Sequence, residues 1–102
     1  MKLFWTEPDL QDLQNLRDYI ANDSDIHAAN FISSILMRVD RLEQLPLIGR
    51  IVPEAQSNDI REIIYRTYRI IYRVTENHID ILAVIHGSRD LWEKQSKPWD
   101  DA

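Results

Sequence analysis

With 102 residues, 44% of them hydrophobic, the chain is long enough for one compact α+β or α/β domain and too short for two. No run of about eighteen apolar residues occurs and the opening MKLFWTEPD lacks a basic-then-apolar organisation, so neither a membrane span nor a secretory leader is read and a cytoplasmic protein is expected. The lack of cysteine excludes disulfides, thiolate chemistry and the usual zinc clusters, and the formal net charge of -5 argues against a general nucleic-acid binder.

Lys2 to Trp5 reads as a short strand, and Thr6-Glu-Pro-Asp as a helix start. Thr6 caps, Asp9 mimics the acidic half of a capping box, and Pro8 sits in the first turn, where its missing N–H costs nothing. Leu10, Leu13, Leu16 and Ile20 recur at helical spacing, which predicts a helix to about Ala21. Asn22-Asp-Ser-Asp then breaks and re-caps the chain. Ala28, Phe31, Ile32, Ile35, Val39 and Leu42 mark a second helix ending before Pro46, so the two form an αα-hairpin.

Residues 47–53 form a connection with a short strand around 50–52, and Gln56-Ser-Asn-Asp is turn chemistry. Three strands follow, at 60–66, 69–74 and 79–87, the first two separated only by Thr67-Tyr68. The last is apolar at nearly every position after Asp80, which marks a central strand covered on at least one face. The predicted fold is α+β, an antiparallel β-sheet packed against an N-terminal αα-hairpin. Residues 1–93 make a single domain, and 94–102 a polar tail expected to be poorly ordered on its own.

Charge is concentrated on the strands. Arg50, Arg61, Arg66, Arg69 and Arg73 face only Glu54, Asp59 and Glu62 within 50–73, while the flanking segments are acidic. Arginines on rigid strands are pre-organised to hold phosphate or carboxylate, or to receive an acidic partner segment. Alternation puts Arg69, Ile71 and Arg73 on one face, expected to be wet, and Ile70, Tyr72 and Val74 on the other. Cross-strand pairing is expected to bring Arg61 to the wet face, and Arg89 arrives just past the last strand.

A plainer structural reading stands beside this one. Arg69 and Arg73 would then be the solvated face of a sheet, paired with Glu62 or Glu76; Arg89 and Asp90 would form a local ion pair; and His86, inside an apolar strand, would be a core histidine. His27, His78 and His86 show no metal-ligand spacing, and no metal or other cofactor is expected. Trp5 reads as core-edge, whereas Trp92 and Trp99 lie in polar surroundings that suggest partner contact.

YRIIYRV followed by IHGSRD, behind a helical hairpin and a Pro-Leu-Ile-Gly-Arg connection, resembles the RelE/ParE superfamily of type II toxin–antitoxin modules. The resemblance covers about residues 1–93 and looks closest to ParE. It implies one of two activities, since RelE-like members are ribosome-dependent mRNA endonucleases and characterised ParE-like members poison DNA gyrase. The ribonucleases carry lysines on the strand before the YR motif, an arginine within it, an arginine after the last strand and a C-terminal tyrosine or histidine. Here Arg69 and Arg89 match the arginines, but the lysine positions fall near Ile60 and Glu62 and the tyrosine position near Gln95. Proton transfer then lacks its groups, because arginine stays protonated near neutral pH.

The resemblance therefore implies a ParE-like inhibitor of DNA gyrase, not an enzyme, of a kind linked to plasmid stabilisation. A cognate ParD-like antitoxin, with a DNA-binding N-terminal half and a C-terminal segment that wraps the toxin, would neutralise it. No sequence-specific nucleic-acid binding by the toxin itself is expected. Contacts with target or antitoxin are assigned to Arg61, Arg69, Arg73, His86, Arg89 and Trp92, and no residue is assigned a catalytic role. Two alternatives stay open: an mRNA endonuclease using Arg69, Arg89 and His86, and a degenerate module that only pairs with its antitoxin.

Overall fold

The apolar spacing of the first forty residues produces the two expected helices. In the computed structural model, which describes residues 1–22, 24–88, 90–92 and 97–100, β1 (Lys2–Trp5) leads into α1 (Glu7–Ala21) and α2 (Asp25–Asp40). The side chains of residues 7–10 and 12 also lie outside the description, among them the Asp9 carboxylate of the expected capping box. Thr6 Oγ1 donates to the Ile81 carbonyl at 3.3 Å, which fastens the start of α1 to the sheet. Ser24 caps α2 by accepting from the His27 N–H at 3.2 Å, satisfying one of the orphan donors of the first turn. Past α2 the chain makes one 3-10 turn, Arg41–Glu43, whose Leu42 is fully buried.

Four strands follow: β2 (Arg50–Ile51), β3 (Ile60–Tyr65), β4 (Tyr68–Val74) and β5 (His78–His86). They join β1 in one sheet of order β1-β5-β4-β3-β2. All pairings are antiparallel except β1 with β5, which is parallel and sets Lys2 beside His78 and Trp5 beside Ile81. The turn between β3 and β4 is Arg66-Thr67, one position earlier than the expected Thr67-Tyr68, with Tyr65 opposite Tyr68. β5 is an interior strand, as its apolar sequence requires, and a bulge opposite Ile71 and Tyr72 inserts Leu82 into its ladder.

Both faces of the sheet are covered. Leu13, Ile35, Val39 and Leu42 from the helical side pack on Tyr65, Ile70, Tyr72, Ile79, Ile81 and Val84. Each fully buried isoleucine or leucine contributes about 1.5–3 kcal/mol, so this layer supplies most of the apolar driving force. On the other face a smaller cluster gathers Ile60, Ile71, Ala83 and Ile85 beneath Val52 and Leu91, with Trp99 packed against it. The face expected to be wet is therefore roofed by the loop after β2 and by the segment after β5. Trp99, read as exposed, is half-buried in that roof.

Among the described residues no helix is long and apolar enough to cross a membrane, and no group of three or more His, Asp or Glu side chains is placed to hold a metal ion.

Candidate functional site

Strand alternation puts Ile60, Glu62 and Ile64 of β3 on the same face as Arg69, Ile71 and Arg73 of β4, because Glu62 lies opposite Ile71 and Ile64 opposite Arg69. Glu62 sits in the apolar run IREIIY and is 1% exposed, so its carboxylate must find charged partners. It finds two. Arg69 Nε donates to Glu62 Oε1 at 2.6 Å, and Arg50 Nε, across the β2–β3 ladder, donates to Glu62 Oε2 at 2.6 Å. The far side of the Arg69 guanidinium makes a fork with Glu54, Nη1 to Oε2 at 2.8 Å and Nη2 to Oε1 at 2.7 Å.

Two arginines and two glutamates thus close into a chain of alternating sign. The Glu54 hydrogen bonds hold the Arg69 guanidinium well above its ordinary pKa, and the same bonds hold the Glu54 carboxyl below the ordinary value of 4.5. Arg69 is 7% exposed and is spoken for by carboxylates on both edges. The plainer reading, which paired Arg69 with Glu62, describes this contact; Glu54 and Arg50 were not foreseen, since both reach the site from a loop and a two-residue edge strand that carry no periodic signal. The network forms one wall of an open concavity that also includes Arg66, Gly87 and Trp92. Trp92 is 59% exposed there.

The other predicted site residues disperse. Arg61 lies opposite Tyr72 and so faces the helices, away from Arg69 and Arg73; its Nε donates to the Asn58 carbonyl and its Nη1 to the Gly49 carbonyl at 2.9 Å. A two-residue turn pairs odd with even positions, so the expected convergence of Arg61 with Arg69 and Arg73 is excluded by register. Arg73 keeps to the Arg69 face and donates to the Trp99 carbonyl at 2.8 Å. His86 is exposed at the end of β5, not a core histidine, because it lies opposite Tyr68 where the ladder runs out. Its Nδ1 meets the Ser88 hydroxyl at 2.7 Å, and its ring meets Tyr68 edge-on. Arg69 lies opposite Ile85, so His86 and Arg69 belong to opposite faces. Arg89 lies outside the described residues.

A second constellation explains the Pro-Leu-Ile-Gly-Arg connection. Tyr72, fully buried, accepts from the Gly49 N–H at 3.0 Å and donates to the Pro46 carbonyl at 2.9 Å. Burial raises the phenol above its usual pKa, which keeps that proton in place. A Cβ at Gly49 would stand 2.5 Å from Tyr72 Oη and 2.6 Å from the Glu62 carbonyl, so only glycine allows the approach. The loop that delivers Arg50 is positioned by this contact.

The profile of a family described as the ParE toxin of the type II toxin–antitoxin system, parDE, matches residues 3–91. A chain from the chromosomal ParDE TA system from P. aeruginosa has the same fold, with a TM-score of 0.70 and 25% identity over 84% of this chain and 95% of that one. No curated protein matches by sequence.

Proposed function

The chain belongs to the ParE toxin family of type II toxin–antitoxin systems, and from that premise we propose that it inhibits DNA gyrase by binding and is neutralised by a cognate ParD-like antitoxin. The observation that carries this reading over ribonuclease chemistry is the occupied state of Arg69. A cation that must stabilise a developing phosphorane has to present its N–H groups to the phosphate. Arg69 presents them to Glu54 and Glu62 instead. Near the positions where the ribonucleases carry lysines, Ile60 and Glu62 are buried and Glu62 is paired with Arg69. His86, the one titratable candidate for proton transfer, is on the other face.

The antitoxin reading rests on a different surface. Ile48, Ile63 and Ile64 line a groove beside β2, with Arg38 and Arg41 around it and Arg50 already paired there with Glu62. The second edge of β2 has no strand beside it among the described residues. Such a groove suits a segment that orders on binding, with apolar anchors and acidic side chains to answer the arginines. Cytoplasmic location follows from the same proposal, since the target and the antitoxin are there.

Pulse-labelling of DNA and protein synthesis after inducing the chain without its antitoxin separates the readings. A prompt fall in DNA synthesis with translation intact supports gyrase inhibition. A prompt fall in translation with codon-specific mRNA cuts overturns it.

A further inference from the structure

A cavity of about 360 Å³ lies between the two helices and the tip of the β3–β4 hairpin, sharing only Arg66 with the concavity beside the Arg69 network. Ile20 and Phe31 give it an apolar wall, and its polar lining is His27, Asn30, Ser34, Tyr65 and Arg66. Every one of those polar side chains can donate a hydrogen bond, and among the described residues lining the cavity none is acidic. In a chain of net charge -5 that is a local reversal of sign.

The positive character reaches deeper than the lining. The Arg38 guanidinium stacks on the Tyr65 ring at 4.5 Å, and Arg66 approaches the same ring at 5.6 Å. A hydrogen bond with Ser34, and then hydrogen bonding and charge from Arg66 and the charge of Arg38, lower the Tyr65 phenol from its usual pKa. Arg66 itself occupies the left-handed region at φ 55°, at a turn position where glycine or asparagine is the usual choice. The hairpin tip carries a guanidinium there at a cost in backbone strain.

We propose that this cavity is an oxyanion-binding site for a small organic phosphate, with Arg66, Ser34 and Tyr65 as donors to the phosphate and Phe31 against its organic part. Ser34 and Arg66 already hydrogen-bond the Tyr65 hydroxyl, and a phosphate, with three terminal oxygens and a larger charge than a carboxylate, competes better for them. The cavity also has more room than a lone phosphate fills. The inference does not depend on the identity of the toxin's target.

Titration of the full chain with phenyl phosphate, inorganic phosphate and acetate, followed by amide and tyrosine-ring NMR shifts, tests it. Saturable shifts at Ser34, Tyr65 and Arg66, stronger for phenyl phosphate than for inorganic phosphate, are expected. Arg66→Gly is the matched variant, because glycine accepts the φ of this turn while the whole Arg66 side chain, guanidinium included, is removed. Loss of a charge-assisted bond should weaken phenyl phosphate roughly tenfold or more. Saturation by acetate alone, shifts that do not saturate, or an unchanged affinity in Arg66→Gly would each overturn the proposal.

Discussion

Glu62 and Arg69 meet at 2.6 Å across the β3–β4 pair, with the Glu62 side chain fully buried and the Arg69 side chain 8% exposed. Both charges are taken from water, and each is compensated twice, Glu62 by Arg50 and Arg69, and Arg69 by Glu62 and Glu54. Removing one member leaves a buried charge without its partner, which typically costs about 3–5 kcal/mol. Arg69→Ala should therefore lower the unfolding free energy by roughly 3 kcal/mol or more in urea titrations. A double replacement of Arg69 and Glu62 by apolar residues of similar volume should recover part of that loss. If Arg69→Ala abolishes growth inhibition while the double variant folds and still inhibits, Arg69 acts through the fold and not through contact.

The Glu54 carboxyl gives the network a pH signature. Its pKa in the folded chain is depressed below 4.5, so its contribution is fully present above that value and is lost as pH falls through the folded pKa. The melting temperature should fall as pH is lowered from about 5 into the acid range, and Glu54→Gln should flatten that slope while lowering stability at neutral pH. Melting curves of both proteins between about pH 2.5 and 7 test this; parallel curves would remove Glu54 as a linked group.

Gly49 and Tyr72 form a packing constraint that substitution should reveal. Gly49→Ala forces a methyl against Tyr72 Oη and the Glu62 carbonyl, and is expected to cost about 1–3 kcal/mol. Tyr72→Phe strands the Gly49 N–H and should cost a similar ~1–3 kcal/mol. Because both changes strike one contact, the double variant should lose less than the sum, which a double-mutant cycle in denaturant measures.

Trp92→Ala separates surface from scaffold. With 59% of the residue exposed beside Arg50 and Glu54, its loss should shift stability by no more than about 0.5 kcal/mol. Growth inhibition, or affinity for the antitoxin, should nonetheless fall measurably; a variant identical to the parent in both assays would remove Trp92 from the contact surface.

How much of this was legible in the residues varies with the length of chain a signal spans. Periodicity over many positions located α1, α2 and the apolar β5, and Glu62 was one of two partners offered for Arg69 and Arg73 by the plainer reading. Parity was legible too: Thr67-Tyr68 and the observed Arg66-Thr67 turn both set residue 61 against an even-numbered partner, which keeps Arg61 from Arg69 and Arg73. Burial of Arg69 was not legible, because the cover of that face comes from Val52 and Ala55 and from Leu91 and Trp99, which have no periodic pattern. The Gly49–Tyr72 approach depends on a loop crossing a strand 23 positions away, and only tertiary structure creates it.

The parallel pairing of β1 with β5 also orders events in time. Lys2 pairs with His78 and Trp5 with Ile81, while the β3–β4 and β4–β5 pairs close over short loops. Loop-closure entropy favours those local hairpins as the early nucleus and makes the β1 pairing late. During synthesis β1 leaves the ribosome before the other strands and has no strand to join until β5 follows, so the sheet is completed only after β5 has been made.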